Sequence, residues 1–435
     1  MKKNIALLVL LFIVLSASAQ KPDKIIKVKK VTAIEKTLSA DDMGGRGLFT
    51  AGLDKAADFI AKEFKKAGLE PVSPSSGYFQ EFSLVSAKLI ETKVTVNGVD
   101  INSESVIAFT SQASLNLTEQ SPIEQVHIEG SERFFNEAYR YIRSGKSYVV
   151  WVDTAYSKIY PNLNRLKREH FKNDHSVVFV LTDQVPEKFS LQITHEISEK
   201  KLKNIVGILP GKNRVAGQED KSGEYVIFSG HYDHLGIGEP DAKRDSIYNG
   251  ANDDASGVTA VIMLARYFKK TKNNGRTLVF AAFTAEETGG FGSQYFSRQF
   301  DPEKVAAMFN IEMIGTDSKW GANSAYITGY EKTDMGKILE KNLEGTGFTF
   351  YPDPYPDQQL FYRSDNATLA RLGVPAHTIS TSKMDNEPFY HTQGDEISTL
   401  DMNNMTAIIR AIALSSASII NGTDTPTRVD ASLLR

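Results

Sequence analysis

Two hydrophobic periods alternate along most of the chain. In GLDKAADFIAKEFKKAGLE (52–70), Ala56, Phe59, Ile60, Phe64 and Ala67 recur every three or four residues. That spacing lines one face of a helix, which Gly68 and Pro71 stop. From residue 225 onward, short apolar runs alternate with helical periods. YVIFSG (225–230) and TLVFAAFTA (277–285) read as strands. The second has almost no polar residue, as expected of a strand covered on both faces. VAAMFNIEMIG (305–315) and VPAHTIST (374–381) contain two more. Between them, SGVTAVIMLARYFKK (256–270) sets Val258, Val261, Ile262, Ala265 and Phe268 on one side of a helix. GFGSQYFSRQF (290–300) begins another, and 336–347 and 402–421 complete the series. Strands alternating with helices predict an α/β fold with a mostly parallel central sheet covered on both faces.

The pattern breaks between 88 and 199. Short strand-like runs (TKVTVNG, SYVVWVD, SVVFVLTD) are separated by helical stretches around 131–143 and 161–171. This predicts a smaller inserted α+β domain. The larger domain resumes in KNIVGILPGK (203–212), a strand ending in a Pro-Gly turn. At the amino terminus, Lys2 and Lys3 precede an apolar run from Ile5 to Leu15 and then Ala17-Ser18-Ala19. That is the order of a secretory signal peptide cleaved after Ala19. A run of about 11 residues is too short to span a bilayer, which takes about 20. The expected organisation is a signal peptide over 1–19, the larger domain over 20–87 and 200–425, the insert over 88–199 and a tail over 426–435. The mature protein is expected to be exported, periplasmic or extracellular, without a stable membrane anchor.

Composition narrows the chemistry. The chain has 50 basic and 53 acidic residues, for a formal charge of −3, which offers nothing to nucleic acid. It has no cysteine, which excludes disulfides, thiol nucleophiles, thiolate zinc sites and a bacterial lipid anchor on a cysteine after the apolar run. Any metal site draws on carboxylates and 8 histidines. Clusters of these residues fall at the carboxyl ends of the predicted strands, where loops of open α/β sheets converge on ligands. They are SGHYDHLG (His231, Asp233, His234), NGANDDASG (Asp253, Asp254), AEETGGFGS (Glu286, Glu287) and NIEMIG (Glu312). A late segment, PFYHTQGDE, adds Tyr390, His391 and Asp395. Each motif alone has a bland reading, such as helix capping by the Asp pair. Adjacent acids beside a buried sheet edge, however, are costly unless a cation compensates them. Two His and three or four carboxylates are what a pair of zinc ions requires without thiols.

In this order and spacing the motifs resemble the zinc aminopeptidases of peptidase family M28, over about 30–85 and 200–420. The resemblance implies that His231 and Glu312 bind one zinc, Glu287 and His391 a second, and Asp253 bridges both. Glu286 is then the catalytic acid/base, and Tyr390 stabilises the reaction intermediate. Asp233 is expected in the second shell, holding the His231 imidazole by its other ring nitrogen. Asp365, in YRSDNATLARLGVPA (362–376), is expected to be structural or second shell, with Arg363 beside it a candidate for reaching substrate. His234 is expected at a fixed turn position, His377 in the core. His127, His170, His175 and His195, within the insert, show no ligand spacing. The insert sits where members of this family carry a protease-associated domain, and GKSYVVWVD resembles one of its elements.

The implied activity is hydrolysis of amino-terminal residues from peptides by a water held between two zinc ions, other divalent metals being possible. Three alternatives stay open at this point. Glu312 stands where the family usually has Asp, and related two-zinc carboxypeptidases vary there. A glutaminyl cyclase uses a similar fold, but retention of His231 speaks against it. A metal-free binding module is opposed by a competent residue at every ligand position.

Overall fold

The computed structural model describes residues 21–130, 133–184, 186–212 and 219–434. The expected signal peptide lies outside the described residues. No described helix is long and apolar enough to cross a membrane. The chain divides into two compact units. One is built from the chain up to Gln80 and from Lys203 on, the other from Glu81–Leu202. Both boundaries fall inside strands, Phe79–Val96 and Phe189–Leu209.

The larger unit is organised by a sheet whose strands are β1 (Phe189–Leu209, entering the unit at Lys203), β2 (Tyr225–His231), β3 (Thr277–Phe283), β4 (Val305–Ile311), β5 (Ser324–Ile327), β6 (Thr349–Pro352) and β7 (Ala376–Ser380). Their spatial order is β6-β5-β7-β4-β2-β3-β1. The central pairs β3–β2, β2–β4 and β4–β7 are parallel, while β1–β3 and β5–β7 are antiparallel. The central strands are buried throughout, which explains their unbroken apolar sequences. On one face Ile227, Val279, Phe283 and Met308 pack with Phe296, Leu369 and Ala370 from the helices Phe291–Ser297 and Asn366–Ala370. On the other, Phe228 stacks with Phe280, Phe309 and Phe268, at centroid separations of 5.6, 4.9 and 5.4 Å. Burial of each such ring contributes about 1.5–3 kcal/mol.

The amphipathic helix forms over Ala51–Ala67. Thr50 caps it by accepting from the Leu53 N–H, and Gly68 ends it in a left-handed conformation. Two expectations need revision. Residues 161–171 are not an α-helix but a 3-10 turn, Tyr160–Leu166, and a two-residue strand, His170–Phe171. The segment lacks a continuous apolar face, with only Leu163 and Leu166 at helical spacing. The last helix, expected over 402–421, breaks at Ser416 into Met402–Ser415 and Ala417–Asn421. There the Ser415 and Ser416 hydroxyls both bond back to the Ile412 carbonyl, competing with the helical ladder.

The inserted unit has its own sheet, ordered Val106–Phe109, Val177–Leu181, Tyr148–Val152, Glu124–Ile128. The helix Phe134–Ile142 packs on it through Phe134, Ala138 and Tyr141.

Candidate metal centre

Three neighbouring parallel strands deliver the central residues. His231 ends β2, Glu286 and Glu287 follow β3, and Glu312 follows β4. A fourth segment, Gly250–Gly257, folds over this edge and carries Asp253. It is fastened from several sides. The Asp395 carboxylate accepts from the N–H groups of Asn252 (2.8 Å) and Asp253 (3.0 Å). The Asp254 carboxyl takes the N–H of His231 (3.1 Å), Gly257 (2.9 Å) and Met313 (3.1 Å), tying three segments together. Only glycine fits at 257, because a Cβ there would lie 2.0 Å from the Ile311 carbonyl oxygen. Arg46, fully buried, donates to the carbonyls of Tyr232, Asn249, Gly250 and Asp253 and to that of Leu38.

The side chains converge in two groups that share Asp253. In the first, His231, Asp253 and Glu312 offer ligand atoms within 4.8 Å of one another. His231 Nε2 lies 3.1 Å from Asp253 Oδ1. Yet this buried nitrogen makes no well-formed hydrogen bond. Two atoms that close but not aimed at each other face a common third point, which fits a shared cation. In the second group, His234, Asp253 and Glu287 likewise offer ligand atoms within 4.8 Å of one another, and His391 joins them, its Nε2 standing 3.3 Å from Asp253 Oδ2 and 3.1 Å from Glu287 Oε2. Ligands about 2.0–2.1 Å from a tetrahedral zinc are separated by about 3.3 Å, so the separations of His231 and His391 from Asp253, and of His391 from Glu287, fit zinc.

The charges support the same assignment. Burial works against ionisation of Glu287, but the histidines beside it win and hold it at about 2. Asp253 is likewise held well below the usual range by His231 and His391, against the effect of burial. Burial opposes protonation of His231, but Asp253 and the surrounding acids raise it well above its ordinary value. Hydrogen bonding to Asp253 and Glu287 raises His391 to about 10. Burial, reinforced by neighbouring carboxylates, pushes Glu312 up to about 7 and Glu286 well above its ordinary value. A site that gathers this many carboxylates and forces some to keep their protons is built for positive charge.

The remaining sequence candidates fall as follows. Glu312, despite its longer arm, reaches the first group, and the Ser364 hydroxyl bonds its Oε2. Asp233 corrects an expectation. It is the Asp233 backbone carbonyl that meets His231 Nδ1, at 3.1 Å, while the carboxylate lies 3.9 Å away. That carboxylate instead accepts from the backbone N–H groups of Glu286 (3.1 Å) and Glu287 (3.4 Å). The turn after His231 directs the carbonyl inward and leaves the side chain to hold the neighbouring strand end. Asp365 is buried outside both ligand groups, where its charge acts on Glu286. The Tyr390 ring stacks on His391 at 3.9 Å, and burial raises its hydroxyl well above its ordinary value, so it stays a donor. His377 is a satisfied core residue, bonded to Thr333 and Thr328 at 2.8 Å each. His234, expected at a fixed turn position near the site, meets Glu287 Oε1 through Nδ1 at 2.7 Å. Arg46 went unnoticed, since nothing in DDMGGRG announces contacts some 200 residues away.

The floor formed by Asp253, Glu286, Glu287 and Glu312 opens into a cleft of about 340 Å³, with Tyr326, Leu360, Met384, Tyr390 and Arg363 along its walls. An α/β sheet presenting paired His–carboxylate groups at its carboxyl edge defines the class of zinc exopeptidase-like folds. Residues 204–416 match the model described as Peptidase family M28, and the chain carries a metallopeptidase domain of that family. A probable leucine aminopeptidase of Arthroderma otae is 26% identical over 215 residues, 46% of this chain and 53% of that protein. A probable zinc metalloprotease of Pyrenophora tritici-repentis is 40% identical over 101 residues, 23% of this chain and 22% of that protein. The matches thus span about half or less of the curated relatives' length. Among solved structures, a zinc aminopeptidase from Bacillus subtilis superposes with a TM-score of 0.54 at 18% identity, covering 92% of this chain and 97% of that one. An aminopeptidase from Aneurinibacillus sp. strain AM-1 gives 0.53 at 17%, covering 91% and 95%. At such identities the likeness establishes the fold.

Proposed function

We propose that this protein is an exported zinc-dependent aminopeptidase that removes amino-terminal residues from peptides, working with two metal ions. The observation that carries this reading is the sharing of Asp253 between two ligand groups, with Glu286 beside them and a cleft above. His231 and Glu312 hold one ion, Glu287 and His391 the other, and Asp253 both. Zinc held there would supply Lewis acidity to a bound water and to the substrate carbonyl. Glu286 takes the proton from the attacking water and returns it to the departing amine. Burial, with the carboxylates around it, raises Glu286 well above its ordinary value, which helps it hold the proton between the two transfers. The Tyr390 hydroxyl, protonated at working pH, donates to the oxyanion. Arg363, on the cleft wall, offers a cation to a substrate carboxylate. The leader and the absence of cysteine support export. The inserted unit is read as a protease-associated-like module.

The test is zinc analysis paired with two dipeptides, one blocked at the carboxyl end and one at the amino end. We expect two zinc per chain, hydrolysis of the carboxyl-blocked peptide, and loss of activity on chelation with recovery on adding zinc. Cleavage of the amino-blocked peptide alone would make the protein a carboxypeptidase.

A further inference from the structure

His234 is buried, its side chain wholly shielded, and it does not line the cleft. It therefore faces neither solvent nor substrate. Its backbone N–H is held by the Arg46 carbonyl at 3.2 Å. Its ring fills the space a side chain at Gly250 would need, where a Cβ would come within 2.6 Å of His234 Cδ2.

Two histidines thus address one carboxylate, one to each oxygen, and the distances separate their tasks. His391 Nε2 keeps 3.1 and 3.3 Å from Glu287 Oε2 and Asp253 Oδ2, close to the edge of a zinc tetrahedron. His234 Nδ1 keeps 2.7 and 3.9 Å from Glu287 Oε1 and Asp253 Oδ2. His234 is thus near enough to Asp253 and Glu287 to share a cation with them, but its 2.7 Å approach to Glu287 Oε1 is a charge-assisted hydrogen-bond length, shorter than the edge of a zinc tetrahedron, which sets it apart from His391. His234 Nε2, buried, has no hydrogen-bond partner among the described residues, so Nδ1 carries the ring proton.

We infer that His234 is a positioning residue for the second metal: its Nδ1–H ties up Glu287 Oε1, so that Glu287 binds the ion through Oε2 alone. This rests on the two-metal reading above. A carboxylate free at both oxygens can close on a metal with both and raise its coordination number. A fixed donor on one oxygen prevents that, leaving a position for water or substrate. Removing such outer-shell donors typically weakens metal binding about 10–100-fold.

The test compares full-length wild type, His234→Ala and His234→Asn. The Asn side-chain N–H can replace the Nδ1–H. Each metal-depleted protein is titrated with zinc against a chromogenic chelator, and the cobalt-loaded forms are followed by visible absorption. We expect two ions in the wild type. In His234→Ala one ion binds about 10–100-fold more weakly and the other is unaffected. The cobalt bands should also lose intensity as Glu287 becomes a two-oxygen ligand. His234→Asn should restore both. Unchanged affinity and spectrum in His234→Ala overturn the inference. So does a gain in cobalt intensity, the mark of a lost direct ligand. Equal weakening of both ions in both variants means a general packing role and overturns it as well. A wild type that takes up no second ion overturns the two-metal reading itself.

Discussion

The two ligand groups use the same chemistry in different surroundings. The first is sunk into the sheet. The His231 side chain is 1% exposed and ends a central strand, and Glu312 emerges from the next strand with Ser364 on its outer oxygen. The second stands at the rim. The His391 side chain is 34% exposed and sits in a loop, in a left-handed conformation at φ 56°. What the rim lacks in rigid backbone, it gains from His234 behind Glu287 and Tyr390 stacked on His391. A buried position gets its geometry from the fold, whereas an open one needs side chains behind its ligands.

Asp253 joins the two, and its removal tests the comparison hardest. Asp253→Ala should cost both ions and reduce hydrolysis to background, because among the described residues Asp253 alone belongs to both groups. Peptide hydrolysis and zinc content are measured together, and a variant that keeps either ion at full occupancy breaks the pairing.

Glu286→Gln should leave both positions filled and lower kcat about 10²–10⁴-fold, the scale of general acid–base catalysis. Near-normal turnover with zinc retained would remove Glu286 from the mechanism.

Acidification should tell the positions apart. Zinc must displace a proton from a histidine at each position, since His231 and His391 are both raised in the metal-free protein. At the first position Glu312, raised to about 7, adds a second proton as pH falls through neutrality. Glu287, held at about 2, adds none at the second. Both affinities therefore fall as pH drops, and below about pH 7 the first falls more steeply. Each displaced proton contributes up to about tenfold per pH unit. Zinc titration calorimetry in buffers of different ionisation heat counts these protons. Equal slopes would contradict the distinction.

Ser364→Ala should weaken only the first ion, by about tenfold, through the lost hydrogen bond to Glu312. Tyr390→Phe should do least, lowering kcat about 3–10-fold with metal affinities unchanged, as for one neutral hydrogen bond. Chelator competition and steady-state kinetics separate the two effects.

The sequence made some of these features plain and hid others. His231, the Glu286–Glu287 pair and Glu312 were legible because each follows an apolar run, and the carboxyl end of a parallel strand is a local feature. Asp253 was legible through small residues around an acidic pair ahead of a helix. The atom through which Asp233 meets His231 is not legible, since alternation along a turn does not say whether carbonyl or carboxylate faces inward. His234 and Arg46 were hidden for a different reason. Their partners lie 53 residues away at Glu287 and about 200 residues away at Asn249, Gly250 and Asp253. No period within one element encodes such a contact. The failure at 161–171 belongs with these, because a short segment without a full apolar face takes its shape from what it packs against.

The central claim is that two cations are held between these named side chains. Anomalous diffraction at the zinc edge from crystals of the zinc-loaded protein tests it most directly. The account predicts two peaks roughly 3.5–4 Å apart. One should lie between His231, Asp253 and Glu312, the other between Asp253, Glu287 and His391, with His234 Nδ1 outside bonding distance. A single peak, or none between these residues, would contradict it.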